Sequence, residues 1–308
     1  MKILVSGGAG FIGSHIVEHF QNQAEIRVLD NLRSGFRHNL RGLPHEFIEA
    51  SVLDRAAVRD ALSGVDYVFH LAAMVSVTES MAKPIECNEV NTKGTLVLLE
   101  EAARAGVKKL VFSSSAAVYG DNPIVPKVET MLPVPKSPYA ISKLDCEYYC
   151  QMFADERGLP TVCLRYFNVF GPRQDPRSQY AAAIPIFIYQ ALKHEPIMIY
   201  GDGEQTRDFI YVEDIAKANA YFGIQSRATG IFNIGCGMKT SINDLSATLC
   251  QIARSTSKIR HGPARAGDVR HSMAGVEKMH AAGFFPGGNL ADGLRATVKF
   301  FTANDGLK

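Results

Sequence analysis

The 308-residue chain has no uninterrupted apolar run near the roughly 20 residues that a bilayer crossing needs, so no membrane helix is expected. It has little excess charge: 33 Lys and Arg against 31 Asp and Glu leave a formal +2, which argues against nucleic acid or an anionic membrane as partner. Cysteine is sparse. Of Cys87, Cys146, Cys150, Cys163, Cys236 and Cys250, only Cys146 and Cys150 are neighbours, at i and i+4 of an expected helix. No Cys-x-x-Cys pair or histidine cluster suggests zinc, so the expectation is incidental thiols in a reducing cytoplasm. Repeats, low-complexity tracts and flexible linkers are also missing, and no removable targeting signal is visible ahead of the first strand. What is present, 46% hydrophobic and 21% charged residues, suits a globular protein of one large or two modest domains.

The strongest local signal lies at the start. Ile3-Leu4-Val5 runs straight into Gly7-Gly8-Ala9-Gly10-Phe11-Ile12-Gly13, and an amphipathic stretch follows. A glycine triplet alone fits a flexible turn. Between a buried strand and a helix, it lets backbone approach a pyrophosphate whose charge the helix N-terminus favours. A second strand, Ile26-Arg27-Val28-Leu29, ends in Asp30, at the distance expected for the carboxylate that binds an adenosine ribose. That carboxylate accepts from a 2′-hydroxyl and repels a 2′-phosphate, which favours NAD over NADP. Arg33 and Arg37 stand nearby and read as a solvated basic loop.

Strand and helix then alternate. Strands are expected at 45–48, 67–70, 109–113 and 161–165, with helices at 55–62, around 90–105 and at 138–157. This alternation predicts an α/β fold with a doubly wound parallel sheet, ligands sitting beyond the carboxyl ends of the strands. After about Asn168 the character changes: loop signals, a helix at 181–193, a strand-like 208–212, and a capped helix opening at Ser241-Ile242-Asn243-Asp244. A smaller C-terminal lobe packed over the first, with a cleft between them, is expected.

Ser113-Ser114-Ser115 closes the fifth strand. Downstream, Ser137 can cap a helix that Pro138 begins, placing Tyr139 and Lys143 one turn apart on one face. A phenol with a reference pKa of about 10 is a poor base at neutral pH. An adjacent ammonium stabilises its phenolate, as would the positive ring of an oxidised nicotinamide, and a serine hydroxyl can hold the substrate oxygen. Tyr and Lys four apart occur in many amphipathic helices. Following a dinucleotide turn and a serine-rich strand end, they read as a catalytic pair.

With Gly7–Gly13, His70-Leu71-Ala72-Ala73, Asn91-Thr92-Lys93-Gly94-Thr95, Ser113–Ser115, Tyr139-x-x-x-Lys143 and Arg165-Tyr166-Phe167-Asn168 in order, the sequence resembles the extended short-chain dehydrogenase/reductases. The branch is that of the UDP-hexose 4-epimerases, most like those acting on UDP-N-acetylglucosamine. Thr206-Arg207-Asp208-Phe209-Ile210 and Arg265-Ala266-Gly267-Asp268-Val269 extend the resemblance through nearly the whole chain. It implies a Rossmann domain over residues 1–168 that binds NAD and a nucleotide-sugar-binding lobe over 169–308, with a segment near 206–235 able to return to the first domain.

The resemblance also implies roles. Tyr139 matches the catalytic base, Lys143 its electrostatic partner and ribose ligand, and Ser115 the hydroxyl beside the sugar. Cofactor contacts fall on Gly7, Gly10, Phe11, Ile12, Gly13, Asp30, Asn31 and Ser51. They continue at Leu71, Ala72, Ala73, Asn91, Ser113, Tyr139, Lys143 and Tyr166. Substrate contacts fall on Ser76, Ser115, Tyr139, Asn168, Arg207, Arg265, Asp268 and Ser272, the arginines gripping the diphosphate with fork-shaped donors and Asp268 a ribose. No metal is implied. One departure stands out: Ala50-Ser51 replaces the family's usual Gly-Asp near adenine. A homodimer is implied through the helices around 90–105 and 138–157, although Leu96, Leu98 and Leu99 fit sheet packing equally well.

Dehydratases of this group resemble Thr-Asp-Glu-Val-Tyr where this chain has Ser115-Ala116-Ala117-Val118-Tyr119, and decarboxylases keep the Glu. Two methyl groups cannot shuttle protons, so elimination is disfavoured and redox at one carbon remains. The expected reaction is 4-epimerisation of a UDP-sugar through a transient 4-keto sugar. The alternatives are a non-catalytic sensor that has kept the fold and a net NAD-dependent oxidoreductase. In the family, a bulky tyrosine four positions after the residue matching Asp268 restricts the sugar to plain hexoses. Ser272 stands there, leaving room for an acetamido group, or is an ordinary polar loop residue.

Overall fold

The computed structural model describes residues 1–176, 183–264 and 269–303. The strands are β1 (Lys2–Ser6), β2 (Glu25–Asp30), β3 (Glu46–Glu49), β4 (Tyr67–His70), β5 (Lys109–Ser115), β6 (Thr161–Tyr166) and β7 (Asn168–Phe170). They continue with β8 (Ile197–Tyr200), β9 (Thr206–Arg207), β10 (Phe209–Tyr211) and β11 (Gly230–Ile234). Helices α1 (Phe11–Phe20), α2 (Arg55–Ala61), α3 (Val77–Ala82), α4 (Pro84–Asn88), α5 (Gly94–Arg104) and α6 (Pro138–Arg157) punctuate the first half. Helices α7 (Ala183–Leu192), α8 (Val212–Ala220) and α9 (Ile242–Ile252) follow.

Seven strands form one parallel sheet in the order β11-β6-β5-β4-β1-β2-β3. The strand order reverses beside β1, and the glycine turn sits at that switch point, where open α/β sheets bind ligands. Alternation along each strand splits the core between two faces. Ile3, Val5, Val28 and Phe69 pack with Ile16, Val17 and Phe20 of α1 and Ile215 and Ala218 of α8. On the other face, Leu4, Leu29, Val68 and Phe112 pack with Val58 of α2, Leu98 and Leu99 of α5, and Cys146 and Cys150 of α6. Leu98 and Leu99 are thus sheet-packing residues, and Leu96 is half-buried beside them.

The chain leaves the sheet after β6, builds α7 and β8, and comes back as α8 and β11. A third apolar cluster, including Phe187, Ile188, Ile197, Ile199, Leu245 and Leu249, forms the core of the smaller C-terminal region. Helix α6 spans the expected residues. Ser137 Oγ accepts from Ala140 N, Pro138 occupies the first turn, and Gly158 ends the helix in the left-handed region at φ 64°. The expected helix at 90–105 differs: it opens with a wider π-type turn over Glu89–Lys93 before α5. Among the described residues no helix is long and apolar enough to cross a membrane.

Candidate active site

The glycine turn is shaped by contacts that leave no room for side chains. Gly7 adopts φ 73°, and a Cβ there would lie 2.6 Å from Ala72 N; one on Gly13 would overlap the Gly7 carbonyl. Helix α1 starts at Gly10 without a side-chain cap, so its first N–H groups point outward with the positive end of the helix dipole. Asp30 is 7% exposed, its carboxylate accepting from Ala9 N at 2.9 Å and Leu32 N at 2.8 Å. Burial pushes that carboxyl upward, and the two N–H donors work against the shift. Arg33 is not a free cation awaiting a 2′-phosphate: it pairs with Glu79 and Glu86, and Arg37 pairs with Glu49. These features fit a dinucleotide with an unphosphorylated adenosine ribose.

From this turn a cleft of about 960 Å³ runs along the carboxyl ends of the strands into the C-terminal region. Its wall brings together Gly7, Gly10, Phe11, Ile12, Gly13, Asp30, Asn31, Ser51, Leu71, Ala72 and Ala73 with Ser113, Ser115, Tyr139, Lys143, Tyr166, Asn168 and Arg207. Ser51 Oγ accepts from Leu53 N at 3.2 Å, so a turn hydrogen bond occupies the position where the family usually has Asp.

Tyr139 is half-buried in the wall, its N–H donating to Ser80 Oγ at 3.2 Å. Burial pushes the phenol above its ordinary range, and a hydrogen bond with Ser115 pulls the other way. Lys143 is buried; its ammonium donates to Ser113 O at 2.7 Å and lies 5.9 Å from the Tyr139 ring centroid. Burial brings Lys143 down to about 8, which still leaves it mostly charged at neutral pH. Ser113 Oγ meets the Tyr166 hydroxyl at 3.0 Å, and Asn219 Nδ2 donates to that hydroxyl at 2.8 Å. Behind them, Arg165 and Glu147 form a buried ion pair at 2.6 Å that ties α6 to β6, and Ser114 Oγ donates to Glu147 at 2.5 Å.

Three expected contacts are set behind or beside this wall. Asn91 is buried in the π-type turn; its side chain accepts from Met74 N at 2.7 Å and donates to Met74 O and Ser142 Oγ. Ser76 caps α3, accepting from Glu79 N at 3.0 Å. Ser272 N donates to Thr206 O at 3.1 Å, so Ser272 lies alongside β9 and next to the cleft residue Arg207. Arg265 and Asp268 lie outside the described residues.

Several participants were not legible. His70 is buried and held neutral, its pKa down to about 3 because burial disfavours the cation. Thr95 Oγ1 donates to Asn91 O at 2.6 Å, so it accepts from His70 Nε2 at 2.9 Å, and His70 Nδ1 accepts from Ser6 Oγ at 2.6 Å. One relay thereby connects the residue before Gly7 to the π-type turn. In the C-terminal wall, Gln174 and Gln205 each have a buried side-chain oxygen with no hydrogen-bond partner among the described residues. Gln205 Nε2 donates to Tyr200 O at 2.8 Å, which fixes the orientation of its amide. No sequence spacing signals such an acceptor; it emerges only when α7, β8 and β9 come together.

The glycine turn, Asp30 and the Ser115/Tyr139/Lys143 group share one cleft, and the family with those features matches residues 3–235. The chain belongs to the NAD dependent epimerase/dehydratase family. A UDP-N-acetylglucosamine 4-epimerase from Methanobrevibacter ruminantium, solved with UDP-N-acetylmuramic acid, is 42% identical over 98% of both chains, with a TM-score of 0.95. The UDP-glucose 4-epimerase of Thermotoga maritima, solved with UDP-glucose, is 41% identical over 99% of both chains, with a TM-score of 0.94. A UDP-glucose 4-epimerase from Mycolicibacterium smegmatis is 36% identical over 310 residues, 98% of each chain. Matched from end to end, this chain is an NAD-dependent epimerase by family.

Proposed function

We propose that the protein interconverts UDP-N-acetylglucosamine and UDP-N-acetylgalactosamine, with weaker activity on the plain UDP-hexoses, by redox chemistry at sugar carbon 4. The observation that carries the reaction class is the cleft end itself. Tyr139 and Ser115 are hydrogen-bonded there, and the next two residues are Ala116 and Ala117, which supply no acid or base for elimination. Whole-length similarity to UDP-sugar 4-epimerases supports the same reading.

The Tyr139 oxygen takes the proton of the 4-hydroxyl and later returns it, while the Ser115 hydroxyl holds the same sugar oxygen. Lys143, fixed by the Ser113 carbonyl, keeps a positive charge near the phenolate. NAD, when bound, supplies the acceptor and donor of the carbon-4 hydride, and its net oxidation state is restored each turnover. Arg207 and Asn168 hold the diphosphate as the 4-keto sugar turns over, with Arg265 and Asp268 assigned the remaining grip on the nucleotide. The side-chain oxygens of Gln174 and Gln205, which find no partner among the described residues, suit donors from the nucleoside.

The acetamido preference rests on Ser272 beside Arg207, where a small side chain leaves space for a 2-substituent on either sugar face. Ser272→Tyr is expected to lower kcat/KM for UDP-N-acetylglucosamine at least about 100-fold, a steric exclusion of roughly 3 kcal/mol, and to spare UDP-glucose. An unchanged ratio of the two kcat/KM values removes the gate from Ser272.

The assembly we propose is a homodimer through α6. Ile141, Tyr148 and Met152 are 46%, 64% and 43% exposed and share one helix face, with exposed Met81 and Ile85 on α3 and α4. Light scattering is expected to give twice the 33.7 kDa chain mass, and Tyr148→Glu to shift it to one chain. A monomeric native protein contradicts this assembly. Six free thiols, four of them buried, suit the reducing cytoplasm in which we place the enzyme.

A further inference from the structure

Arg33 follows β2 and lines the dinucleotide end of the cleft together with Ser34, Gly35 and Phe36. In the sheet, β2 and β4 flank β1, so the loops after them stand on either side of the glycine turn. The loop after β4 lines the cleft through Ala73 and Val75 and then enters α3. Arg33 reaches across: Nη2 meets Glu79 of α3 at 2.8 Å and Nη1 meets Glu86 of α4 at 2.5 Å. Lys83 lies 3.5 Å and 3.7 Å from the same two carboxylates, making a four-charge network rather than an isolated surface pair.

Both ends of this bridge are anchored to the site. On one side, Asp30 Oδ1 accepts from Leu32 N at 2.8 Å and Asn31 Oδ1 from Arg33 N at 3.2 Å, so the loop carrying Arg33 is tied to the ribose carboxylate. On the other, Ser80 is fully buried next to Glu79, and its Oγ accepts from the N–H of Tyr139. The short helix α3 is therefore held between the cofactor loop and the start of the catalytic helix.

We infer that Arg33, Glu79 and Glu86 form a strap over the glycine turn that sets how long the dinucleotide stays bound. This rests on the reading that the turn binds NAD. An enzyme that returns its hydride to the same sugar has no need to exchange cofactor between turnovers. A closed strap suits that chemistry, whereas a net dehydrogenase must open once per cycle. Its strength comes from charge pairing at a half-exposed site, so the effect on release is moderate.

The test measures release directly, independent of turnover. Protein loaded with adenine-labelled NAD is chased with excess unlabelled NAD, and retained label is followed by filtration. Glu79→Gln/Glu86→Gln is expected to release NAD about fivefold faster than the native protein, and Arg33→Gln to do the same. The triple variant is expected to be no faster than either, because all three changes break one interaction. Native release rates in the glutamate variant overturn the strap. So does an additive triple variant, which would mean the two ends act separately. A native protein that holds no label contradicts the NAD reading itself, and that result appears before any variant is made.

Discussion

Tyr139→Phe is expected to lower kcat for 4-epimerisation about 1000-fold while leaving the NAD content of the purified protein unchanged. The substitution removes one oxygen from a half-buried ring at the cleft wall and leaves its packing in place. The backbone N–H of residue 139 still donates to Ser80 Oγ, so the start of α6 keeps its anchor. What disappears is the hydrogen bond with Ser115 and the only atom of residue 139 that can exchange a proton with the sugar. A steady-state assay paired with nucleotide released on denaturation separates the outcomes. A sensor that had kept the fold would bind ligand equally well before and after the change and show no turnover to lose. Loss of NAD together with activity would instead assign Tyr139 a structural part.

Gly13→Ala is expected to abolish NAD binding, leaving less than about a tenth of the native cofactor content. The new methyl group would overlap the carbonyl of Gly7, and Gly8 Cα lies 2.8 Å from the same position. Neither neighbour is a flexible side chain that could swing away. Gly7 is itself pressed against the Ala72 backbone at φ 73°, so relief requires the whole turn to shift from the start of α1. Gly64→Ala is the control: Gly64 has φ 70° and open space around it, so the change costs about 1 kcal/mol of backbone strain and keeps NAD. Cofactor content and thermal midpoint measured on both variants distinguish a damaged site from a merely less stable protein. Native NAD content in Gly13→Ala would remove the glycine turn from the binding site.

The two variants probe the part of the molecule whose elements can be read from residue order alone. The passage from β1 through glycines into α1 is local: an apolar run, missing side chains and a helical period. Helix α6 is equally local, since Ser137, Pro138 and Gly158 mark its ends by cap, ring and left-handed turn. Helices α3 and α4 escaped because they lack a buried periodic face; Val77, Met81 and Ile85 point to solvent, and the helices depend on the Ser76 cap and on Pro84. The partners of Arg33 lie 46 and 53 residues away, a pairing no charge spacing reveals. The π-type turn at Glu89–Lys93 has the same origin: Asn91 accepts from Met74 N, and its carbonyl takes the Thr95 hydroxyl. In the cleft's far wall α7 was legible as a helix and β8 was not read at all, and packing rather than pattern decides which of their side chains face the cleft.

The most direct measurement follows the anomeric protons of UDP-N-acetylglucosamine by NMR after mixing with purified protein and no added cofactor. The expected result is growth of the UDP-N-acetylgalactosamine signal to a stable mixture, with NAD retained by the protein and no NADH accumulating in solution. Absence of any carbon-4 epimer from UDP-N-acetylhexosamines and plain UDP-hexoses alike, in protein shown to contain NAD, would contradict the assignment of this cleft to 4-epimerisation.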